Sequence, residues 1–419
     1  MSAKLAPMPA TADLPFSWRR IALPAYGPSL VGSIGHGAIV PVVALTAREL
    51  GASVSVAALF VSIVAVAEFV GSVPVGIFVD RVGERTALVI GGLLEVMAGL
   101  IGWFAPNLWV LALAAVVMGP AGGIFIVARQ SYLGHIVPAH QRARAMSTLG
   151  GVARIGWFIG PLAAAPLIAV HGARAAFLVL IAGGLGASAI TWWSMDLVVP
   201  SAEGDHPGAR PVTPPLRETV RRHARVLLTL GLGILVIGLA RASRNVVVPL
   251  WADHIGMTAS EVSVLFGLGM GIEMLLFYPA GWIMDRFGRV WVAVPVALGF
   301  GVTLMALPLA DTRGGVGVAV VAMSIANGLG SGIVMTLGAD AAPPVGRAAF
   351  LGVWRLISLI GANGASVLVA AIAAIASVGA AAVVVGVLSL LGAGWLARWV
   401  PRYEPDRERA AYPSTPRQT

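Results

Sequence analysis

Long apolar segments separated by short polar stretches run along the chain. Twelve of these segments are about as long as the roughly 20 residues that a membrane-spanning helix needs. They cover residues 22–46, 54–79, 86–105, 107–129, 146–170, 175–196, 226–251, 259–284, 289–309, 314–338, 349–375 and 377–399. The 419 residues are 58% hydrophobic and 11% charged, which is more apolar side chain than a soluble core of this length buries. The pattern predicts an all-α membrane protein with twelve transmembrane helices.

The net charge of +9 raises the question of a nucleic-acid partner. The positions of the basic residues argue against one, because nearly all of the loop arginines fall on one side of the twelve-helix arrangement. The other side holds only Arg48, Arg174 and Arg313. This asymmetry follows the positive-inside rule. It predicts a multi-pass protein of the cell inner membrane, surrounded by the lipid bilayer, with both termini in the cytoplasm and no nucleic-acid partner.

The residues that several kinds of chemistry require are absent from this chain. There is no cysteine, which excludes disulfides, thiolate catalysis and cysteine metal sites. The only lysine is Lys4, so the chain has no P-loop. No nucleophile and base stand at a recognisable spacing. We therefore expect a protein that is not an enzyme and that needs no metal and no cofactor.

A charged turn is written twice, once in each half of the chain. The first copy contains Gly76, Asp80, Arg81, Gly83 and Arg85. The second copy repeats the first four of these residues at the same spacing, as Gly281, Asp285, Arg286 and Gly288. The apolar segment before each copy also holds an equivalent glutamate and proline, Glu68 and Pro74 in the first half and Glu273 and Pro279 in the second. A duplicated half of this kind is typical of secondary transporters.

The repeat predicts two pseudo-symmetric six-helix bundles. The first bundle covers residues 22–196 and the second covers 226–399. They are joined by a cytoplasmic linker over 197–225, which is rich in proline and charge. A cytoplasmic segment over 1–21 precedes them and a cytoplasmic tail over 400–419 follows.

The first charged turn resembles the motif that the major facilitator superfamily carries between spans two and three. The resemblance implies two six-helix bundles around a central cavity, which is exposed alternately to the two sides of the membrane. It also implies that the motif residues form a conformational latch, in which Asp80 caps the start of span eleven in the outward-open state. The latch residues by this resemblance are Gly76, Asp80, Arg81, Gly83 and Arg85, with Asp285 and Arg286 in the second copy.

A second motif lies in span five, where Gly156, Gly160 and Pro161 resemble a motif of the antiporters of this superfamily. Two departures stand beside it. Ala164 and Ala165 replace the motif's last glycines, and Ala115 stands where the family has a span-four arginine. The resemblance to the twelve-helix drug:proton antiporter group favours export of small organic or amphipathic molecules by a monomer, with protons as the coupled ion. The alternatives are a proton-linked importer of an organic anion and a non-transporting membrane receptor or scaffold.

Three carboxylates lie near the middle of apolar segments, at Glu68, Glu95 and Glu273. An ionisable group at this depth is costly and usually has a partner, a water-filled cavity or a function. Removal from water favours the protonated form of a carboxylate. We therefore predict that proton coupling uses Glu68, Glu273 or Glu95. The alternative is that they are structural carboxylates, hydrogen-bonded to a neighbouring span.

The remaining intramembrane polar groups predict the substrate cavity. Arg241 and Arg244 share one face of span seven, and His36 occupies the equivalent position in span one. Planar guanidinium groups suit an anionic substrate group, although they could instead neutralise Glu68 or Glu273 in a buried network. The predicted cavity residues are His36, Arg241, Arg244, Asn245, Trp157 and Trp354. We expect Arg129, Arg154 and Arg355 to extend toward the lipid headgroups.

Overall fold

The structure is a computed structural model, and it describes residues 21–137, 142–194, 220–343 and 347–403. Twelve helical spans, α1 to α12, are long and apolar enough to cross a membrane when the bent first span is counted as one. They are Ala22–Ile39 with Val43–Glu49 (α1), Val54–Val82 (α2), Glu84–Trp103 (α3), Leu108–Ile136 (α4), Arg142–His171 (α5), Ala176–Ser194 (α6), Ala224–His254 (α7), Ala259–Phe287 (α8), Val290–Ala306 (α9), Arg313–Leu329 with Ile333–Ala341 (α10), Arg347–Ile375 (α11) and Val378–Tyr403 (α12). The predicted fold class is confirmed.

Two of the spans are interrupted. The α1 helix bends by 42° between Ile39 and Val43, a break that contains Pro41. Proline lacks the N–H for a helical hydrogen bond, and its ring clashes with the preceding turn. The α10 helix is interrupted between Leu329 and Ile333, where two glycines flank a serine. Such breaks are tolerated within a membrane where the freed backbone groups are buried in protein or line a cavity.

The repeat that the sequence predicts is present in the backbone. Gly83 ends α2 with a φ of 80°, and its counterpart Gly288 ends α8 with a φ of 104°. Gly51 and Gly256, at the turns that follow α1 and α7, also have positive φ values, of 85° and 78°. Glycine reaches this left-handed region without the steric cost that a Cβ atom imposes. The two halves therefore use the same residue type for the same turn.

The helices pack in two equivalent groups of six. In the first group α1 packs against α5 and α6, α3 against α4 and α6, and α2 against α4. In the second group α7 packs against α11 and α12, α9 against α10 and α12, and α8 against α10. Two helix pairs, α5 with α8 and α2 with α11, form most of the interface between the groups.

The span-five glycines bring α5 close to α1. A Cβ atom at Gly156 would lie 2.6 Å from the Cβ atom of Ser33, and one at Gly160 would collide with the backbone of Ile34. Small residues of this kind let membrane helices approach closely. The next residue, Pro161, accepts a hydrogen bond on its carbonyl from the Ser263 hydroxyl of α8, at 2.8 Å. This motif thus supports packing within one half and a contact between the halves.

The interface between the halves is closed toward one side of the membrane. We call the side where α1 begins and α12 ends the terminal side. On the other side, the Arg48 guanidinium in the last turn of α1 forms an ion pair with Asp253 at the end of α7, at 3.1 Å. Ser62 of α2 and Ser366 of α11 are hydrogen-bonded and buried. These contacts join the two groups away from the terminal side.

Glycines on the four interface helices are uncrowded toward the terminal side. Gly151 of α5 and its repeat counterpart Gly352 of α11 have no atom within 4 Å of a Cβ position in the described chain. The same holds for Gly76 of α2 and Gly281 of α8. In the half of the interface away from the terminal side, by contrast, Gly267 of α8 packs onto Leu162. The helix pairs are therefore apposed on one side and looser on the terminal side.

Candidate functional site

A cavity of about 480 Å³ lies between the two groups of helices, near the middle of the spans. It is walled by α5 from the first half and by α7, α8, α10 and α11 from the second. Its charged and polar lining residues are Arg154, Arg241, Arg244, Asn245, Glu273, Asn327, Ser331 and Ser358. This volume is in the range of small-molecule binding pockets.

An ion pair joins α7 to α8 in the cavity wall. The buried Arg244 guanidinium donates a hydrogen bond to one carboxylate oxygen of Glu273. The other carboxylate oxygen accepts from the side-chain amide of Asn327 on α10, at 2.6 Å. Arg244 thus takes the buried-network alternative, with Glu273 as its partner. Asn327 was not predicted from the sequence, because a neutral amide within a span carries no charge that requires a partner.

Arg241 lies one turn from Arg244 and donates a hydrogen bond to the backbone carbonyl of Gly330. That carbonyl lies in the break of α10, which explains why a side chain can reach it. The Nε atom of Arg241 is buried and has no hydrogen-bond partner in the described chain. Arg241 therefore lines the cavity, and no ion pair joins it to a carboxylate among the described residues.

Arg154 also lines the cavity, contrary to the expectation that it reaches the headgroups. Its guanidinium carbon lies 4.2 Å from the centroid of the Phe277 ring on α8. The expectation was wrong because Arg154 lies on the face of α5 that meets α8, so its guanidinium contacts a ring of the other half.

A second polar cluster lies inside the first half. Nδ1 of His36 is 2.9 Å from a carboxylate oxygen of Glu95 on α3. Glu95 is 1% exposed, and its other oxygen has no hydrogen-bond partner among the described residues. His36 is not among the residues that line the cavity, so our prediction for it is corrected. The structure joins it instead to a residue that we predicted for proton coupling.

Arg129 of α4 lies near this cluster and does not extend toward the headgroups as expected. Its Nε atom donates to the carbonyl of Phe125 at 2.6 Å, and its guanidinium stacks over the Phe125 ring. The side chain is buried and interacts electrostatically with Glu95. The first half therefore holds its own arrangement of a histidine, a carboxylate and an arginine.

Glu68 and its counterpart Glu273 have different environments. Glu68 is exposed on α2 and interacts electrostatically with His36 and with Arg355 of α11. Arg355 is exposed too, and it is the repeat counterpart of Arg154, which interacts with Glu273. Each half thus contributes one arginine that faces a carboxylate of the other half.

The remaining predicted cavity residues divide. Trp157 and Asn245 line the cavity, and the side-chain oxygen of Asn245 is buried without a hydrogen-bond partner in the described part of the chain. Trp354 does not line it, which corrects our prediction. That indole is 3% exposed, donates to the carbonyl of Val334 at 2.8 Å and stacks on Phe350. It forms part of the core.

The predicted latch residues lie at the terminal side. Asp80 and Arg81 are exposed at the end of α2. Arg85 donates to the carbonyl of Trp192 at 2.6 Å and stacks on its ring. In the second copy, Arg286 is exposed and stacks on Trp282 and Phe287. The Asp285 side chain lies outside what the structure describes, and so do residues 344–346, directly before α11.

A family model described as the Major Facilitator Superfamily matches residues 29–237 and 230–415. Among curated proteins, the chain is similar to the Multidrug resistance protein MdtG of Salmonella arizonae and of Salmonella newport, in each case at 28% identity over 179 residues. The match covers 42% of this chain and 44% of each relative. It therefore spans less than half the length of these relatives.

Solved transporter structures share the fold over nearly the whole chain. A D-xylose-proton symporter superposes with a TM-score of 0.70 at 16% identity, covering 92% of this chain and 99% of the other. A POT family transporter in complex with 5-aminolevulinic acid superposes with a TM-score of 0.71 at 12% identity, covering 92% and 96%. At these identities the likeness concerns the fold alone.

Proposed function

Because the chain belongs to the Major Facilitator Superfamily, we propose that it is a secondary active transporter that exports small organic or amphipathic molecules in exchange for protons. The observation that supports this function best is the charged cavity at mid-span, which is walled by both halves and closed away from the terminal side. A cavity between two repeats that closes on one side at a time is the basis of alternating access.

In this proposal the terminal side is the cytoplasm, as the arginine-rich loops favour. The cavity then faces inward in the described conformation, and an exporter would load its substrate from this state. The curated relatives are named for multidrug resistance, which favours export over import. The solved neighbours include a proton symporter, which favours protons as the coupled ion.

Glu273 is the carboxylate that we propose for proton coupling in the cavity. A proton on Glu273 would neutralise its charge and weaken the ion pair with Arg244. Arg244 would then be available to other partners in the cavity. Proton binding and substrate binding would thereby affect the same guanidinium group, which gives the coupling a direct route. Glu68 and the His36–Glu95 pair are the other proposed proton sites.

The charged turn is proposed to act in the opposite conformation. Asp80 is exposed in the inward-facing arrangement, where α2 and α11 are apart at the terminal side. When the halves close there, the carboxylate would approach the start of α11. A carboxylate near a helix N-terminus is favourable because of the helix dipole. The latch would therefore stabilise the outward-open state.

Transport in everted membrane vesicles tests the proposal. The vesicles are energised to accumulate protons, and the internal pH is followed with a fluorescent base while ethidium, rhodamine 6G or carboxyfluorescein is added. A substrate of a proton-coupled exporter releases protons in a concentration-dependent manner. Vesicles that contain the Glu273→Gln variant should show no release. If none of a broad panel of amphipathic compounds dissipates the gradient, proton-coupled export is the wrong function.

One observation favours the alternative of a proton-linked importer of an organic anion. The cavity holds three guanidinium groups, of Arg154, Arg241 and Arg244, against the carboxylate of Glu273. Import would appear as accumulation of a labelled anion in right-side-out vesicles with an acidic exterior. An exporter would show no such accumulation.

A further inference from the structure

We propose that the cavity binds an amphipathic organic anion, and that its charged group lies between Arg154 of the first half and Arg241 of the second half. The charged group is a planar carboxylate or a tetrahedral oxyanion such as a phosphonate. The inference rests on the proposed transport function and adds the substrate class and the two residues that recognise it.

The charges in the cavity favour an anionic ligand. Arg244 is paired with Glu273, and both oxygens of that carboxylate already accept hydrogen bonds, from Arg244 and from Asn327. Arg154 and Arg241 therefore lack a carboxylate of their own among the residues that line the cavity. Glu273 attracts both guanidinium groups, and Arg241 is repelled by Arg244 and by Arg154. A ligand with a negative charge removes this repulsion, whereas a cation adds to it.

The hydrogen-bond donors of the two arginines also favour an oxyanion. Arg241 donates to the Gly330 carbonyl, but its buried Nε has no partner among the described residues. Arg154 lies against the Phe277 ring, a contact that engages the face of a guanidinium and leaves donors along its edge. The unused donors of the two arginines suit the several acceptor oxygens of one oxyanion.

The rest of the cavity wall suits an apolar body attached to the charged group. Trp157, Met270, Met274 and Val334 line the same space. Methionine side chains are flexible and polarisable, so they adapt to apolar groups of different shapes. A purely polar anion would leave this surface without contacts.

The position of the two arginines gives the site a role beyond affinity. Arg154 belongs to α5 and Arg241 to α7, so one oxyanion would contact both halves of the transporter at once. A ligand shifts a conformational equilibrium only through interactions that differ between the two states. A contact that spans both halves changes when the halves rock, which makes it suited to drive the transition.

Binding of three probes that share one ring system to the purified protein tests the inference. The probes are 2-naphthoate, 2-naphthylmethanol and (2-naphthylmethyl)trimethylammonium, measured by titration calorimetry at pH 7 in the same detergent. We expect 2-naphthoate to bind at least about tenfold more tightly than the alcohol, and the ammonium compound to bind most weakly. Arg154→Gln and Arg241→Gln should each weaken 2-naphthoate binding about tenfold and leave the alcohol unchanged.

Arg355→Gln is the matched control, because Arg355 is the repeat counterpart of Arg154 but is not a cavity-lining residue. It should change 2-naphthoate binding less than twofold. If a Gln variant does not fold, Arg154→Lys and Arg241→Lys keep the charge and lose the planar donors, and they should show a smaller loss. Equal binding of the anion and the alcohol by the wild type would overturn the inference, as would an anion preference that survives both Gln variants.

The two proposals fail in distinguishable ways. If purified protein prefers the anion but vesicles show no substrate-dependent proton release, the site stands and proton-coupled export does not. If vesicles export neutral and cationic compounds while the anion preference is absent, export stands and the Arg154–Arg241 site does not.

Discussion

Arg244 of α7 and Glu273 of α8 form a buried ion pair in the wall of the central cavity. Their charges cancel within one half of the molecule, so Arg244 does not face the cavity as an isolated cation. The two arginines of span seven therefore have different partners. Arg244 is held by a carboxylate, while Arg241 is held by a backbone carbonyl in the break of α10. The same pair is the structural element that a proton would disrupt.

Breaking this pair from one side should destabilise the protein. Arg244→Gln leaves the Glu273 carboxylate, which is 15% exposed, without its cation. A fully buried pair that loses one member costs about 3–5 kcal/mol, and the exposure of Glu273 to the cavity places the loss below that range. The double variant Arg244→Gln with Glu273→Gln removes both charges and should lose less stability than Arg244→Gln alone. Thermal unfolding in detergent is measured for the wild type, for Arg244→Gln, for Glu273→Gln and for the double variant. A double variant whose losses simply add would show that the two residues do not interact.

Neutralising the proposed proton site should uncouple substrate movement from the proton gradient. Glu273→Gln should abolish proton-driven accumulation while substrate exchange down its own gradient continues, because glutamine keeps the shape of the side chain and removes the titratable group. Glu68→Gln is measured in parallel as the repeat counterpart. Glu261→Gln is the matched control in the same helix, since glutamine preserves the capping box with Thr258 at the start of α8. Accumulation by both the Glu273 and Glu68 variants would move the proton site to the His36–Glu95 pair.

Removing the charge of Asp80 should slow transport without changing what is bound. Asp80→Asn loses the carboxylate that is proposed to stabilise the outward-open state, so turnover should fall by about tenfold or more, a change of roughly 1.4 kcal/mol in the relevant barrier or population. The apparent KM should change by less than about twofold. Asp311→Asn, in the exposed loop between α9 and α10, serves as the control. Unchanged turnover in Asp80→Asn would mean that the latch assignment is wrong.

The ion pair between Arg48 and Asp253 should hold the halves together away from the terminal side. It is partly exposed, so its contribution is about 1 kcal/mol or less. Asp253→Asn should therefore raise the rate at which a membrane-impermeant maleimide labels a cysteine placed at buried Ser263, by a factor of about five or less. Arg313→Gln is the control, because its ion pair with Glu261 lies on the same side but within one half. Equal rates in both variants would exclude a role for the pair in closure.

The predicted orientation of the chain is tested with single cysteines, for which this cysteine-free protein needs no background removal. Pro106 is exposed in the turn between α3 and α4. A cysteine at Pro106 should be labelled by an impermeant reagent from outside intact cells. A cysteine at Asp205, which lies outside the described residues, should be labelled only after the membrane is opened. Labelling of both from outside would overturn the orientation.

The twelve spans and their duplication were determined by the sequence alone. Apolar length is the signal for a span, since the backbone must satisfy its own hydrogen bonds inside the bilayer. The repeat was equally readable, because Gly83 and Gly288 stand at turns where a side chain is strained, and the same residue had to recur at the same place. The depth of Arg241 followed from its position in the span.

The partners of the charged groups were decided only by the tertiary structure. Membrane helices are apolar around most of their circumference, so the sequence gives little indication of which face meets which neighbour. Symmetry suggested that His36 and Arg244 have equivalent surroundings, yet His36 pairs with α3 and Arg244 with α8. Polar groups pair where two packed helices bring them within hydrogen-bond distance. Helix packing therefore decides which groups become partners.

Helix packing also decided where the side chains of Trp157, Trp354 and Arg154 lie. Trp157 and Trp354 occupy similar places next to arginines in repeat-related helices, but Trp157 lines the cavity and Trp354 is buried against Phe350. Arg154 reached the cavity because it lies on the face of α5 that packs against α8. Hydropathy marks where a helix meets the bilayer, whereas helix ends and rotations are set by packing against neighbouring spans.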